Sequence, residues 1–306
     1  MSTAPSGTSC QDEIGCHNEL RSFLCGLEAD PFLFEPEQLR ERLVALDDLD
    51  AEFGGFDSQE FTKCMNPRIH QRVKALRGRL EAANAELYQS VRSEIVRSGQ
   101  PRALFQWLQN SASQKESEIP LSGLGFDFRD ELVSGILQLR EPSESDLQRS
   151  PEMAPYQPTP VRHILHLIAA SALSEDDVLV DLGSGLGHVP LLVSILTGVR
   201  TLGVELQSDY VTRAQECARS LRLSRVRFVA GDARDADLST GSVFYLYSPF
   251  TGSILTEVLG ALRKDSTSRA IRICSLGPCT STLADERWLK ANTRPDPERI
   301  AIFESR

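Results

Sequence analysis

The sequence predicts an α/β protein in which a doubly wound, mostly parallel sheet follows an all-helical N-terminal part. Three observations lead to this fold class. After residue 161, short apolar runs alternate with helical patterns, which favours a parallel sheet with helices on both faces. The first of these runs ends in a glycine-rich turn, which is typical of a ligand-binding strand–turn–helix element. Residues 19–140 carry a helical pattern.

The composition is that of an ordinary globular protein, with 306 residues of which 41% are hydrophobic and 25% charged. No apolar run reaches the roughly 20 residues that span a bilayer, and the first 15 residues lack the basic start and apolar run of a signal peptide. We therefore expect a cytoplasmic protein without a membrane partner. The net charge of −10 argues against nucleic acid as a partner, although it does not exclude a local basic patch.

The seven cysteines do not predict a disulfide framework, because their number is odd and no C-x-x-C pair occurs. One cluster has the chemistry of a metal site but fits no common zinc spacing; it comprises Cys10, Cys16, His17 and Cys25. His163 and His166 lie three residues apart on a predicted helix without further ligands in the sequence. We expect free thiols and no metal.

Four segments are predicted along the chain. Residues 1–18 are small and polar and form a disordered tail. Residues 19–140 form a helical N-terminal domain. Residues 141–160 form a proline-rich linker, and residues 161–306 form the α/β domain.

The clearest N-terminal helix is predicted from an Asn66 cap and Pro67 at the first helical position to a stop at Gly99. Its apolar residues recur in steps of three and four and form one stripe: Ile69, Val73, Leu76, Leu80, Ala83, Leu87, Val91 and Ile95. This stripe packs against other helices or, if it is exposed, forms a homodimer surface. Its first half is basic, through Arg68, Arg72, Lys74, Arg77 and Arg79. These residues form either a docking surface for an acidic partner or a solvated face.

The elements of the α/β domain are predicted in order along the chain. Helices are predicted over residues 161–173, 187–197, 208–221 and 253–263, with Ser208 as a cap. Strands are predicted over residues 177–182, 200–205, 226–230, 242–247 and 270–274. The tail is predicted to form two strands joined at Pro295-Asp296-Pro297, so the sheet ends in an antiparallel hairpin.

The glycine-rich turn lies in the stretch VLVDLGSGLGHVP, residues 178–190. A dinucleotide-binding fingerprint requires a third glycine at the position of His188. The spacing is G-x-G-x-G instead, through Gly183, Gly185 and Gly187. The next strand ends in Glu205, whose carboxylate can accept hydrogen bonds from both hydroxyls of a ribose. The site therefore suits an adenosine-type ligand without a pyrophosphate.

These motifs resemble the class I S-adenosylmethionine-dependent methyltransferases over about residues 156–306. VLVDLGSGLG is similar to the first motif of that family, GVEL to its acidic second strand and VRFVAGDA to its third motif. The resemblance implies a Rossmann-like catalytic domain and S-adenosyl-L-methionine as cofactor. It also implies an enzyme that transfers a methyl group by in-line displacement.

The resemblance further implies which residues bind the cofactor. Asp181 orients the methionine ammonium, Glu205 holds the ribose and Asp232 accepts from the adenine amino group. The alternative for Asp232 is a turn aspartate before a helix. The amide of Ala233 faces the adenine ring. The glycine turn completes the set, through Gly183, Ser184, Gly185 and Gly187.

A narrower resemblance covers residues 173–206, which are similar to the histone lysine methyltransferases that lack a SET domain. In that family a loop before the first domain helix closes over the cofactor. Here the loop is Tyr156-Gln157-Pro158-Thr159-Pro160, which implies that Tyr156 and Thr159 contact the methionine end; a rigid linker is the alternative. The family's Asn-Asn-Phe segment and its basic tail are absent.

The acceptor side is predicted at Tyr247-Ser248-Pro249-Phe250, directly after the fourth strand. This segment is similar to the D/N/S-P-P-Y/F segment of nitrogen methyltransferases but lacks the first acidic or amide residue and one proline. We expect Tyr247, Ser248 and Phe250 to form the catalytic wall, where aromatic rings can stabilise a developing cation. Core packing is the alternative for the two aromatic residues.

Three functions are compatible with the sequence. The first is methylation of a nitrogen or oxygen of a protein, lysine-like substrate, which suits an acidic enzyme meeting a basic target. The second is methylation of a small molecule, with the N-terminal helices as a lid or dimer interface. The third is a non-catalytic cofactor-binding scaffold.

Overall fold

A computed structural model describes residues 21–53, 67–99, 101–110, 125–141 and 151–306. The predicted tail, the Asn66 cap and three members of the Cys10–Cys25 cluster lie outside these residues. The chain divides into two compact units, residues 1–89 and 90–306. This division falls within one long helix rather than at the proline-rich segment that the sequence suggests. No helix in the described part of the chain has the length and apolar character needed to cross a membrane.

The first unit is helical, as predicted. Residues 21–29 are helical and precede a 3-10 turn over Pro31–Phe34, followed by helices α1 (Leu39–Phe53) and α2 (Pro67–Ser98). Pro67 is the first residue of α2, and Gly99 ends it with a φ of 65°. The apolar stripe of α2 is buried except at the half-buried Ala83, so it offers no exposed face for a homodimer. Its first half packs on a core that includes Leu24, Leu33, Leu49 and Phe53.

Several basic residues of α2 are used inside the first unit. Arg72 binds the carboxylate of Glu28, with Nη2 to Oε2 at 2.5 Å, and Arg77 binds Asp50. The Arg79 guanidinium lies 4.3 Å from the ring centroid of Phe34. These contacts favour the interpretation of a helix face that is paired within its own unit over a docking surface.

The second unit begins with helices that are tied to the sheet domain. They are α3 (Arg102–Asn110), α4 (Phe128–Leu137) and α5 (Val161–Ser171). Asp127 and Asp130 form a capping box on α4, and Oδ1 of Asp130 also accepts from the backbone N–H of Val161 at 2.8 Å. The thiol of Cys217 donates to the carbonyl of Leu137. The sequence assigned α5 to the α/β domain, but it could not assign α3 and α4, because helical periodicity reveals an apolar face and not its partner.

The sheet has seven strands in the order β3-β2-β1-β4-β5-β7-β6. Strands β1 to β5 pair in parallel, and β7 pairs antiparallel with both β5 and β6. This confirms the mostly parallel sheet with an antiparallel end. The strands are β1 (Val178–Leu182), β2 (Arg200–Glu205), β3 (Val226–Ala230), β4 (Val243–Tyr247), β5 (Arg272–Leu276), β6 (Leu289–Ala291) and β7 (Ala301–Ser305).

Helices cross over between the strands. They are α6 (His188–Thr197), α7 (Ser208–Ser220), α8 (Gly252–Ser266) and α9 (Cys279–Ala284). Several element ends are shifted, as for β5, which was predicted over residues 270–274 and spans Arg272–Leu276. Two further details differ from the sequence prediction. Ser208 is the first helical residue of α7 and Gln207 is its N-cap, so Ser208 is not the cap. The six-residue helix α9 was not predicted, because so short a segment carries little periodic signal.

The central strands explain where a ligand site can form. β1 and β4 are buried on both faces, as their continuous apolar runs suggest, through residues such as Leu179, Val180, Phe244 and Leu246. From β1 the chain builds outward to β2 and β3 on one side and to β4 and β5 on the other. The crevice between β1 and β4 at the carboxyl ends of the strands is the usual ligand site in such sheets.

Candidate functional site: a cofactor cavity at the carboxyl ends of the strands

A cavity of about 410 Å³ opens at this crevice. Its volume is within the range typical of sites for small molecules and cofactors. Every site residue expected from the sequence lines it except Gly187. The site therefore combines the glycine turn, the ends of β2 and β4, the start of the β3–β4 connection and the segment before α5.

The glycine turn leaves room for two neighbouring segments. Gly183 and Gly185 have φ values of 81° and 52°, which favour glycine. A Cβ on Gly183 would overlap the ring of Pro249, and a Cβ on Gly185 would lie 2.6 Å from Cδ2 of Tyr156. Side chains at these glycines would displace both predicted walls of the cavity.

Gly187 has a packing role rather than the expected place at the cofactor. Its φ is 86°, and an added Cβ would lie 2.5 Å from the ring of Phe228 on β3. It therefore allows the start of α6 to approach the sheet closely. In a dinucleotide-binding fold the third glycine serves the same purpose.

The two inner carboxylates differ in their surroundings. Asp181 is buried, and this burial, followed by the charge of Glu205, raises its pKa well above the ordinary value. Glu205 accepts the backbone N–H of Gly185 at Oε2 and that of Gln207 at Oε1, both at 2.8 Å. Each carboxylate oxygen has a second lone pair, so Glu205 can brace the glycine turn and still accept from ribose hydroxyls.

Asp232 has a partner that the sequence did not reveal. Nε of Arg234 donates to its Oδ1 at 3.0 Å and Nη2 to its Oδ2 at 2.7 Å, and this bonding lowers the pKa of Asp232. The backbone N–H of Arg234 also donates to Oδ1, as in an Asx turn. Asp232 thus forms a turn, which was the alternative role expected from the sequence, and it also lines the cavity.

The segment before α5 is attached to the end of β4. Met153 forms an isolated antiparallel bridge with Phe250, and the N–H of Ala154 donates to the carbonyl of Pro249 at 3.0 Å. The Glu152 carboxylate accepts the N–H of Ile254 at 3.1 Å and the hydroxyl of Ser253 at 3.0 Å, so it caps α8. The two predicted walls therefore lie together at one cavity.

Tyr156 and His188 form a pair inside the cavity. The Tyr156 hydroxyl lies 3.2 Å from Nδ1 of His188, and the Tyr156 ring meets Tyr210 edge-on with centroids 5.1 Å apart. Burial raises the pKa of Tyr156 and lowers the pKa of His188 to about 4. Both groups are neutral at pH 7, and an unprotonated ring nitrogen of a neutral imidazole can accept a hydrogen bond from the phenol hydroxyl. Sequence reasoning found no partner for His188.

Thr159 is joined to a tyrosine that the sequence analysis missed. Its Oγ1 lies 3.1 Å from the hydroxyl of Tyr245, a buried residue of β4 that is in register with Asp181. Burial raises the pKa of Tyr245 well above its ordinary value. The sequence could have indicated Tyr245 as a site residue. Side chains two residues apart in a strand, such as those of Tyr245 and Tyr247, lie on the same face of the sheet.

The end of β4 forms the aromatic part of the cavity. Tyr247 is half-buried, and its buried hydroxyl has no hydrogen-bond partner among the described residues. Burial raises the pKa of Tyr247. Phe250 lines the cavity and also belongs to the hydrophobic core, so both interpretations of this residue hold.

Ser248 fixes the position of the chain directly after β4. Its φ is 40°, and its hydroxyl donates to the carbonyl of Leu276 at 3.0 Å while it accepts the N–H of Cys279 at 2.9 Å. Both bonds are to backbone groups at the end of β5 and the start of α9. Ser248 thus holds the end of β4 against the neighbouring connection, which is a positioning role at the cavity wall.

The described part of the chain contains no group of three or more His, Cys, Asp or Glu residues that could bind a metal ion. The described cysteines are free thiols: Cys25, Cys217, Cys274 and Cys279. His163 is buried and His166 is partly buried on α5. The described residues that surround the cavity thus offer oxygen acceptors, aromatic rings and backbone amides.

Comparison with known proteins agrees with this geometry. Residues 154–244 match the family model described as "Histone methylation protein DOT1", which covers less than a third of the chain. No curated protein matches the sequence significantly. The matched residues include the segment before α5, the glycine turn, Glu205, Asp232 and the first residues of β4.

Many solved structures are similar to the chain. An RNA methyltransferase from Salinibacter ruber, in complex with S-adenosyl-L-homocysteine, has 26% identity over 49% of this chain and 92% of its own, with a TM-score of 0.41. A precorrin-6y C5,15-methyltransferase from Geobacter metallireducens GS-15 has 15% identity over 47% and 85%, with a TM-score of 0.36. An rRNA methylase from Streptococcus thermophilus has 13% identity over 47% and 95%, with a TM-score of 0.35.

The strand order, the cavity at the switch in that order and the motifs around it agree with the family match to residues 154–244. The chain is a class I S-adenosylmethionine-dependent methyltransferase.

Proposed function

We propose that this enzyme methylates an amine nitrogen of a protein, of the lysine side-chain type. The observation that carries the proposal is the acceptor wall, formed by Tyr247 and Phe250 beside Pro249. Aromatic rings stabilise the positive charge that develops on an amine as it is methylated. They also exclude water from the displacement.

The residues divide into a cofactor part and an acceptor part. When bound, S-adenosylmethionine supplies a methyl carbon that its sulfonium has already activated. Glu205 and the backbone of the glycine turn hold that ligand, and Asp181 provides the oxygen acceptors near its ammonium. Thr159 and Tyr245 close the inner wall through their mutual hydrogen bond.

In the acceptor part, the hydroxyl of Tyr247 is buried and has no hydrogen-bond partner among the described residues. Its hydroxyl oxygen can accept one N–H of the incoming amine and so align the nitrogen lone pair with the methyl carbon. Such alignment accounts for much of the acceleration of a displacement whose reagent is already activated. The proton that a lysine ammonium must lose can leave to solvent before the amine enters this apolar wall, where burial favours the neutral form.

The family match supports a protein acceptor, because the matched family is described as histone methylation proteins. The net charge of −10 also suits an encounter with a lysine-rich protein, since opposite charges attract over the Debye length. These two features favour a basic protein over a neutral metabolite.

The experiment is a transfer assay with methyl-labelled S-adenosylmethionine and three acceptors: core histones, free lysine and total RNA. We expect label in the histones, located by mass spectrometry on lysine side chains. At a limiting concentration of S-adenosylmethionine the Glu205→Ala variant should strongly reduce the signal, whereas Glu298→Ala, which removes an exposed carboxylate outside the cavity, should retain it. Label confined to RNA or to the small molecule would contradict the proposal.

A further inference from the structure

A second groove lies at the edge of the sheet that β3 forms. Its volume is about 510 Å³, and α7, the turn over residues 221–225 and β3 line it. Three arginines belong to this lining: Arg219, Arg222 and Arg227. We call it the arginine groove. The turn precedes β3, so the groove extends from the amino end of that strand, whereas the cofactor cavity lies at the carboxyl ends.

The arginine groove concentrates positive charge on an acidic protein. Residues 213–227 contain five arginines and one carboxylate, Glu216, although the whole chain has a net charge of −10. All five arginines are exposed, and none forms an ion pair with a carboxylate within the described ranges. By contrast, Arg234 and Arg272 each bind an aspartate at 2.7 Å.

Backbone contacts hold parts of this charged surface in place. Nε of Arg219 donates to the carbonyl of Gln215 at 3.2 Å, and Nη1 of Arg225 donates to that of Gly198 at 3.0 Å. Arg222 has a φ of 55° at the end of α7. Each guanidinium keeps further N–H donors for an external partner. A planar guanidinium matches the oxygens of a phosphate in a bidentate arrangement.

The character of the groove indicates which partner it fits. Interfaces with proteins centre on exposed aromatic and large apolar side chains. Of the apolar residues that line this groove, Ala218, Val226 and Phe228 are buried and Leu223 is half-buried. Nucleic-acid interfaces are more polar and much more positive. We propose that the arginine groove binds the phosphate backbone of a nucleic-acid strand.

This binding surface goes beyond the proposed function, because it is separate from the cofactor cavity and assigns no methyl acceptor. A strand along the β3 edge would tether the enzyme to a nucleic-acid-bearing target through contacts that do not depend on base sequence. The chemistry recognised is the phosphodiester, which RNA and DNA share.

The test is fluorescence anisotropy of the full chain with a labelled single-stranded RNA and a labelled DNA duplex, over a series of salt concentrations. We expect binding that weakens linearly on a log–log plot against salt. The triple variant Arg219→Gln/Arg222→Gln/Arg227→Gln should weaken binding by about 10-fold or more. It should also reduce the salt slope by roughly 1 for each phosphate that it no longer neutralises. The probe that binds more tightly shows whether RNA or DNA supplies the phosphate backbone.

The matched control is the triple variant Arg287→Gln/Lys290→Gln/Arg294→Gln, which removes the same charge at the opposite edge of the sheet. It should change the affinity for nucleic acid by less than about 2-fold, because distant surface charges are screened. Both variants must show unchanged binding of S-adenosylhomocysteine, which confirms the fold. Three results would overturn the proposal: no binding by the wild type at low salt, equal losses in the two variants, or displacement by poly-glutamate as effective per charge as by nucleic acid. The last result would assign the groove to an acidic protein.

Discussion

Tyr156 packs so closely on Gly185 that any side chain at position 185 would overlap its ring. The loop before α5 and the turn after β1 therefore fit together only through a glycine. This contact places the Tyr156 hydroxyl beside His188 and closes one side of the cofactor cavity.

Gly185→Ala should displace Tyr156 and weaken cofactor binding. The added methyl meets the aromatic ring, and the φ of 52° is unfavourable for alanine, so we also expect a loss of about 1–2 kcal/mol in unfolding free energy. Calorimetry with S-adenosylhomocysteine and denaturant unfolding measure the two effects.

Gly260→Ala provides the matched control for this substitution. Gly260 lies within α8, and a Cβ there would meet nothing within 4 Å. Alanine is favoured over glycine in a helix interior by about 0.5–1 kcal/mol, so this variant should gain stability and keep its cofactor affinity. If Gly185→Ala behaved in the same way, the close contact with Tyr156 would not exist in solution.

His188 should make the protein less stable in acid. Burial lowers its folded-state pKa from 6.5 to about 4, so between these values the unfolded chain binds the proton more readily. The stability is therefore complete above pH 6.5 and falls as the pH drops toward 4. Unfolding curves measured from pH 7.5 to 4 should show the wild type losing stability relative to His188→Gln, which keeps a polar partner for Tyr156 but does not titrate. Parallel pH profiles for the two proteins would show that the surroundings of His188 do not lower its pKa.

Tyr247→Phe should lower turnover while leaving cofactor affinity nearly unchanged. The substitution removes a hydroxyl that no described residue uses and keeps the ring, so its effect falls on the acceptor alone. The loss of one hydrogen bond in the transition state, about 1 kcal/mol, corresponds to a decrease of roughly 5-fold in kcat.

Tyr245→Phe is the comparison for the Tyr247 variant, because it removes the hydrogen bond to Thr159 on the inner wall. We expect it to weaken cofactor binding as well as turnover. A Tyr247→Phe enzyme with full activity, or one that loses cofactor affinity, would show that this hydroxyl does not face the acceptor.

Asp232→Asn should weaken cofactor binding if its carboxylate accepts the adenine amino group. The amide can keep the Asx turn but loses the charge, so we expect a loss of about 1 kcal/mol in binding free energy. Arg234→Gln removes the guanidinium whose hydrogen bonds lower the pKa of Asp232. It should change cofactor affinity less, since the Asp232 carboxylate remains in place to accept the adenine amino group. Calorimetry with S-adenosylhomocysteine on the two variants distinguishes a ligand-binding role for Asp232 from a role in the turn alone. Equal affinities for the wild type and Asp232→Asn would show that Asp232 acts only in the turn.

The sequence predicted those parts of the fold that local patterns determine. The positions of β1 to β5 follow from short apolar runs, and the glycine turn follows from its spacing. The antiparallel end follows from the Pro295–Pro297 turn. Positions at the ends of strands also located Asp181, Glu205 and Tyr247 at one cavity, because parallel strands bring their carboxyl ends together.

What the sequence could not predict depends on contacts between distant residues. The pairs Tyr156–His188 and Thr159–Tyr245 are separated by 32 and 86 residues, and no local pattern joins them. Ser248 was expected at the reaction, but its hydroxyl is taken by backbone groups of Leu276 and Cys279 that lie about thirty residues further on. Gly187 was grouped with the cofactor because it belongs to the same motif, although the ring of Phe228 is what requires it.

The measurement that tests the account most directly is calorimetric titration of the wild type and Glu205→Ala with S-adenosylhomocysteine, with NAD as a second ligand. We expect one site for S-adenosylhomocysteine, with binding weakened by about 1.5–3 kcal/mol in the variant through the loss of charge-assisted hydrogen bonds to the ribose. We expect no heat with NAD, because the backbone N–H of Gly185, the second glycine of the turn, already donates to Glu205 and does not face a pyrophosphate. Unchanged affinity in a folded Glu205→Ala protein, or tight binding of NAD, would contradict the assignment of this cavity.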